Sequence, residues 1–98
     1  MTKTEIDKYP SILLLLSSDR CSVCTALNQR LKPWLQSNYP DLPYQKIILE
    51  DFPLLRGELM VFSVPVILLF QHGKEVLRKA GVFSLEQTFD EINQLMIY

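Results

Sequence analysis

The chain has few of the residues that bind metal ions or attract polyanions. Its 98 residues include two cysteines and one histidine, and its ten basic residues are balanced by eleven acidic ones. A structural zinc site takes four ligands, so these three residues complete one only with the help of carboxylates. With no cluster of Lys and Arg either, the sequence predicts neither a nucleic-acid partner nor an anionic membrane partner.

Long apolar runs, repeats, low-complexity tracts and linkers are also missing. No segment approaches the roughly 18 apolar residues of a transmembrane helix, and the leucine-rich run over residues 11–17 lacks the small-residue cleavage site of a signal peptide. A chain of this length that is 48% hydrophobic suffices for one core and is too short for two. We therefore expect a single domain over residues 1–98 and a cytoplasmic location, where a cysteine pair is more often catalytic than structural.

The two cysteines stand in the motif Cys21-Ser22-Val23-Cys24, between a predicted strand and a predicted helix. Residues 11–17 form an apolar run of strand length, as in a strand that is covered on both faces. Residues 17–20 are polar and turn-like, and apolar residues recur at helical spacing from Ser22 onward. A Cys-x-x-Cys motif beside such a βαβ pattern is typical of thiol–disulfide exchange.

A helix start favours a thiolate over a thiol, because the first turn has unpaired backbone N–H groups and the positive end of the helix dipole. A cysteine in such a place can have its pKa lowered from about 8.5 to about 3.5–7.5. We expect Cys21, nearer the helix start, to be the nucleophile. Cys24, one turn further in, is expected to be less exposed and to act as the resolving thiol.

Two other interpretations of the cysteine pair stay open at this point. The cysteines can simply be small residues that lie close together, or they can be metal ligands. His72, the one histidine, lies in a predicted turn where a solvated side chain is expected. Any metal would therefore more readily bridge two copies of the chain.

The rest of the chain alternates between predicted helices and strands. Thr2 with Glu5 and Ser84 with Gln87 have the spacing of capping boxes at helix starts. The predicted elements are a helix over residues 3–9, a strand over 11–17, a helix from Ser22 that is interrupted or kinked at Pro33, a strand over 44–49, a helix from Asp51 or Pro53 to Met60, strands over 66–70 and 75–79, and a helix from Ser84.

These residues resemble the thioredoxin family over nearly the whole chain after residue 10. The resemblance rests on four segments in the same order and at similar separations, namely Cys21-Ser22-Val23-Cys24, residues 63–70 with Val64-Pro65, Gly73-Lys74 and Ala80-Gly81. It implies a thioredoxin-like three-layer α/β/α sandwich around a mixed four-stranded sheet. It also implies a thiol–disulfide oxidoreductase without a cofactor other than the Cys21–Cys24 disulfide, with protein disulfides as substrates and a thioredoxin-reductase-type electron donor.

The resemblance further implies a cis peptide bond between Val64 and Pro65, close to the two sulfurs. The backbone of Val64 is then expected to pair with an extended substrate segment, a mode of recognition that tolerates many sequences. A trans proline that only opens a strand is the alternative.

Several residues depart from the family pattern at the motif. Arg20 replaces the usual tryptophan before the first cysteine and Ser22-Val23 replaces Gly-Pro. Arg20 can favour the Cys21 thiolate, although the neighbouring Asp19 partly offsets this effect. The central dipeptide tunes the redox potential, so the reducing power does not follow from the resemblance.

A further departure lies behind the second cysteine. Leu15 stands where thioredoxins bury an aspartate that accepts the proton of that cysteine. Lys46 matches the lysine that accompanies the aspartate, and alone or with Glu50 it can modulate the pKa of Cys24, although both can equally be solvated side chains. We expect slower release of mixed disulfides than in thioredoxins, and faster release in Leu15→Asp.

The ten residues before Ser11 are too few for both the predicted first helix and the additional first strand of thioredoxins. Its absence predicts an unpaired apolar edge at Ile47-Ile48-Leu49, covered either by the N-terminal segment or by a partner such as a second copy paired through the strand at 44–49. Three functions remain open, namely a disulfide oxidoreductase, a non-catalytic binding module that uses the groove around Pro65, and a metal-bridged dimer.

Overall fold

The protein is described by a computed structural model over residues 1–97, so Tyr98, the last residue of the expected domain, lies outside the described residues. The elements in chain order are α1 (Lys3–Asp7), β1 (Ser11–Ser17), α2 (Ser22–Asn38), β2 (Tyr44–Ile48), a 3₁₀ turn (Leu49–Asp51), α3 (Pro53–Glu58), β3 (Val66–Gln71), β4 (Lys74–Ala80) and α4 (Leu85–Met96).

The four strands form one mixed sheet in the order β2-β1-β3-β4. β1 pairs with β2 in parallel and with β3 antiparallel, and β3 pairs with β4 antiparallel. The run from Ile12 to Leu16 is fully buried because helices cover both faces of the sheet. Its alternate residues belong to two separate clusters, one packed against α1 and α3 and the other against α2 and α4. The predicted three-layer sandwich is thereby confirmed.

Three loops leave the sheet at the same end. Leu16 at the end of β1 is aligned with Val66 at the start of β3, and Val66 is aligned with Ala80 at the end of β4. The loop after β1, the segment before β3 and the residues after β4 therefore lie near one another. These are the segments that carry Cys21, Pro65 and Gly81.

Helix α2 continues through Pro33, so the predicted interruption is wrong, while the alternative of a kink at this residue stays a prediction. A proline in a helix interior removes the hydrogen bond to the carbonyl four residues earlier, here that of Gln29. Both Gln29 and Pro33 are exposed, which lets water satisfy that carbonyl. The flanking Leu31 and Leu35 are buried against the sheet and hold the helix on both sides of the proline.

Other predicted boundaries shift by one or two residues. Helix α1 ends at Asp7 rather than residue 9. Strand β2 ends at Ile48 because Leu49 begins the 3₁₀ turn, which also takes Asp51 away from the start of α3. Helix α3 stops at Glu58 and does not reach Met60, whose φ of 55° is left-handed.

The N-terminal segment does not pair with the outer edge of β2. It does contact β3 and the turn that follows, where Lys3 lies 5.2 Å from the ring centre of Phe70 and His72 donates a backbone hydrogen bond to the carbonyl of Pro10. Its Ile6 is also buried in the same apolar cluster as Ile47 and Leu49. Within residues 1–97, β2 has β1 as its one strand neighbour.

The side chains along β2 alter the expectation of an exposed apolar edge. Ile47 and Leu49 are buried in the core cluster that includes α1 and α3, whereas Gln45 and Lys46 are exposed. A lysine on an edge strand disfavours edge-to-edge pairing. Pairing with a second copy stays a prediction, and a monomeric mass by light scattering at high concentration excludes it.

The capping residues predicted at two helix starts accept the expected hydrogen bonds. Thr2 Oγ1 accepts from the backbone N–H of Glu5, and Ser84 Oγ accepts from that of Gln87, each at 3.2 Å. These bonds satisfy N–H groups that have no partner within the helix. No helix in the described part of the chain is both long and apolar enough to cross a bilayer.

We expect Ser84→Ala to lower the free energy of unfolding by about 1 kcal/mol, because it removes the cap of α4. Helix α4 covers the sheet with the buried Leu85 and Ile92, so loss of the cap weakens a packed element. Urea denaturation measures the change. Ser37→Ala, at an exposed position inside α2, is the matched control, and an equal loss in both variants contradicts the capping role.

Candidate active site

Cys21 and Cys24 form a disulfide at the start of α2, with their Cα atoms 5.2 Å apart. Cys21 is the N-cap residue of the helix and Cys24 lies in its first turn. Cys24 is fully buried, whereas Cys21 is partly exposed. An incoming sulfur atom can therefore reach Cys21 but not Cys24, as predicted from the order of the two residues.

The Cys21 sulfur takes the place that a serine or threonine oxygen usually takes at a helix start. Its Sγ accepts a hydrogen bond from the backbone N–H of Cys24 at 3.1 Å. Cys21 has an extended backbone, and its carbonyl oxygen accepts from both the backbone N–H and the hydroxyl of Thr25. The sulfur therefore lies at the positive end of the helix dipole, where an N–H donor stabilises a negative charge.

The peptide bond between Val64 and Pro65 is cis, directly before β3. Both residues are partly buried, and Val64 packs against the core cluster that includes α1 and α3. The alignment of the strand ends places this segment at the same end of the sheet as the loop that leads to Cys21. The structure thus places the four residues that were predicted to catalyse and to bind substrate at the same end of the sheet.

The three predicted pKa-modulating residues take different positions. Arg20 is exposed and directly precedes Cys21. Glu50 accepts a hydrogen bond from the backbone N–H of Asp19 at 3.2 Å, which ties the 3₁₀ turn to the loop before the motif. Lys46 is exposed on β2 and is aligned with Leu15 of β1. Their influence on the cysteines stays a prediction.

The residue at the position of the thioredoxin aspartate is fully buried. Leu15 lies in the apolar cluster on the sheet face that α2 covers, the helix that carries Cys24. Neighbours in this cluster such as Leu31 and Ile67 are also apolar and fully buried. The interior behind the motif therefore offers no carboxylate from this position.

Apolar side chains around the motif were missed by the sequence analysis. Val23 is 62% exposed and Phe62 74% exposed, and Val82 is fully exposed. They lie in the motif, in the segment before Pro65 and directly after Gly81, which all belong to the same end of the sheet. The sequence does carry a signal for these side chains, because Phe62 and Val82 are apolar residues in loops next to the segments that resemble thioredoxins. Exposed apolar groups in such places often mark interaction sites.

The sheet order, the two helical layers and the Cys-x-x-Cys disulfide at a helix start define a thioredoxin-fold protein with a redox-type cysteine pair. The chain is 30% identical over 90 residues to Thioredoxin-like protein YdfQ of Bacillus subtilis strain 168, a match that covers 92% of this chain and 80% of that protein. The chain therefore belongs to the thioredoxin family, as a thioredoxin-like member. No protein-family model matches it.

Solved thioredoxin structures share the fold. Thioredoxin 1 of Thermosipho africanus superposes with a TM-score of 0.78 at 22% identity, over 87% of this chain and 93% of that one. Thioredoxin NaTrxh of Nicotiana alata superposes with a TM-score of 0.79 at 20% identity, over 94% of this chain and 79% of that one. Together with a cysteine pair at disulfide distance, this fold supports a thiol–disulfide oxidoreductase as the general class.

Proposed function

We propose that the protein reduces or exchanges disulfides of other proteins through Cys21 and Cys24. The observation that carries the proposal is the position of Cys21 at a helix start. Cys21 is partly exposed, its sulfur accepts a hydrogen bond from the backbone N–H of Cys24, and it is bonded to the sulfur of the buried Cys24. A pair with one accessible and one enclosed sulfur suits a two-step exchange better than a purely structural crosslink.

In the proposed reaction, the reduced Cys21 thiolate attacks one sulfur of the substrate disulfide. The substrate S–S bond breaks, a mixed disulfide forms, and the released substrate sulfur takes up a proton. Cys24 then loses its proton and attacks the sulfur of Cys21, which releases the second substrate thiol. Two electrons pass from the cysteine pair to the substrate, whose two sulfurs take up one proton lost by Cys24 and one from solvent, and the Cys21–Cys24 disulfide remains.

Substrate binding is proposed for the segment at Val64 and Pro65. The backbone of Val64 would pair with an extended substrate strand, and the exposed apolar side chains of Val23, Phe62 and Val82 would contact the side chains of that strand. A partner with apolar residues next to its cystine fits this surface best, because it removes exposed apolar area from water.

The chemistry needs no cofactor besides the redox-active disulfide. A thioredoxin-reductase-type donor in the cytoplasm would supply the electrons that regenerate the two thiols. Because Leu15 contributes no proton acceptor behind Cys24, we infer that the second step is slower than in thioredoxins that have the buried aspartate, and that activity is correspondingly weaker.

Insulin reduction in the presence of dithiothreitol tests the proposal. We expect the wild-type protein to accelerate the precipitation of reduced insulin chains well above the rate with dithiothreitol alone. Binding of insulin without acceleration would instead favour the non-catalytic binding module. Stoichiometric metal in anaerobically purified protein, measured by elemental analysis, would favour the metal-bridged dimer.

A further inference from the structure

Arginine side chains hold three consecutive backbone carbonyls between α3 and β3. Arg78 Nη2 donates to the carbonyl oxygen of Leu59 at 2.6 Å, and its Nη1 donates to that of Met60 at 3.0 Å. Arg56 Nη1 donates to the carbonyl oxygen of Val61 at 3.4 Å. The backbone of residues 59–61 is therefore tied to side chains of β4 and of α3.

These carbonyls need donors because of how α3 ends. Leu59 is the C-cap residue, and Met60 then turns left-handed with φ 55°. The last carbonyls of a helix lack partners within the helix and carry the negative end of its dipole, so a guanidinium there satisfies them and is favoured by its charge. Arg78 fulfils this role from a distant part of the chain, 19 residues after Leu59.

The guanidinium of Arg78 is itself held in place. Glu75 accepts two hydrogen bonds from it, Nε to Oε2 at 2.8 Å and Nη2 to Oε1 at 2.7 Å. These bonds lower the pKa of the Glu75 carboxyl below its ordinary value, because the guanidinium stabilises the charged carboxylate. The backbone of Arg78 is aligned with Leu68 in the antiparallel β3–β4 pair. Because Glu75 and the strand pairing already fix the side chain and the backbone of Arg78, its planar guanidinium loses less conformational entropy for each further hydrogen bond than a free side chain would.

The held carbonyls directly precede the proposed substrate-binding segment. Residues 62–65 run from the tied backbone at Val61 to Val66, where β3 begins and pairs with β1 and β4. Phe62 and Ser63 within this stretch are exposed and supply little packing. Val61 is buried in the core cluster that includes α1 and α3, and Val64 packs against it, so the held carbonyls add to this packing in fixing the backbone that leads to Val64.

We propose that Arg78 is a positioning residue for substrate binding, which fixes the start of the 62–65 segment so that the Val64 backbone is presented ready to pair with an extended polypeptide. The inference rests on the proposed function. Without Arg78, a substrate strand would have to order the segment as it binds, which weakens binding. The thiol chemistry at Cys21 does not involve this anchor.

The test compares Arg78→Ala with Lys74→Ala, which removes an exposed cation from the same strand. We expect Arg78→Ala to raise KM for insulin roughly 5–10-fold with kcat little changed. Its rate with hydroxyethyl disulfide, which has no polypeptide backbone, should stay within about twofold of wild type. Lys74→Ala should match wild type with both substrates. Arg78→Lys keeps the positive charge but lacks the planar set of N–H donors. Its KM for insulin should therefore lie between that of Arg78→Ala and that of wild type.

Hydrogen–deuterium exchange of peptides that cover residues 61–66 gives a readout that is independent of activity. Faster exchange in Arg78→Ala, with circular dichroism unchanged and with no such change in Lys74→Ala, supports the anchor. Unchanged exchange, or an equal loss of rate with insulin and hydroxyethyl disulfide, overturns the inference. Failure of the wild-type protein to reduce either disulfide instead overturns the proposed function, whatever the exchange shows. If Arg78→Ala does not fold, the same comparisons are made with Arg78→Lys.

Discussion

Cys21→Ser is expected to abolish the reduction of insulin disulfides, with a loss of at least about 10³-fold relative to wild type. The serine hydroxyl stays protonated at neutral pH, whereas the thiolate is both ionised and strongly nucleophilic. The hydrogen bond that the Cys21 sulfur accepts from the backbone N–H of Cys24 stabilises a negative charge on the sulfur. Turbidity from precipitating insulin chains in the presence of dithiothreitol measures the loss.

Cys24→Ser is the matched variant, because it removes the other sulfur and leaves the accessible one. Cys21 can still attack, but the mixed disulfide lacks the buried thiol that releases it. We expect this variant to lose turnover as well, and to accumulate a covalent adduct with substrate that Cys21→Ser does not form. Mass spectrometry under non-reducing conditions detects the adduct. An adduct in Cys21→Ser but not in Cys24→Ser reverses the proposed roles.

Leu15→Asp is expected to lower the free energy of unfolding by roughly 3–5 kcal/mol at neutral pH. Loss of a buried leucine side chain alone costs about 2–5 kcal/mol, and a carboxyl placed among apolar neighbours adds a desolvation cost. Leu15 is fully buried in the cluster under α2. Urea denaturation measures the loss.

The destabilisation of this variant should depend on pH. Burial raises the pKa of the introduced carboxyl above its unfolded value of about 3.9, because the charged form is disfavoured inside. The folded state then binds the proton more tightly, so the deficit is smallest below about pH 4 and grows as the pH rises towards the raised pKa. A deficit independent of pH contradicts a buried carboxyl at this position.

The same variant is expected to release mixed disulfides faster than wild type, since it restores a proton acceptor on the face that α2 covers. Leu13→Asp is the control, because Leu13 is also fully buried in the same cluster but lies two residues further from the motif end of β1. Both variants should lose stability, and only Leu15→Asp should gain rate per folded molecule. Equal rates in the two variants and in wild type remove the proton-transfer argument.

Features set by local sequence could be predicted, and those set by distant contacts could not. The bounds of β1 follow from an apolar run that ends in polar residues, and the caps at Thr2 and Ser84 follow from local hydrogen bonding. The continuity of α2 through Pro33 depends on packing against the sheet. The end of β2 at Ile48 depends on a turn whose bonds no periodicity reveals.

The candidate site divides in the same way. The positions of Cys21, Cys24 and Pro65 follow from their spacing and from the resemblance to thioredoxins. The bond between Glu50 and the backbone of Asp19 joins residues 31 positions apart, and that between Arg78 and Leu59 joins residues 19 apart. Such contacts depend on how distant loops and strands are placed next to one another in the folded chain, which local sequence periodicity does not specify.

Alkylation of the reduced protein by iodoacetamide across pH tests the central claim most directly. We predict that Cys21 reacts fast at neutral pH, with a midpoint clearly below the value of about 8.5 for a free cysteine. Cys24 should be protected, and mild oxidation should remove both thiols through one intramolecular disulfide bond. If both cysteines alkylate as slowly as free cysteine and oxidation joins them in no intramolecular disulfide, the proposed chemistry is wrong.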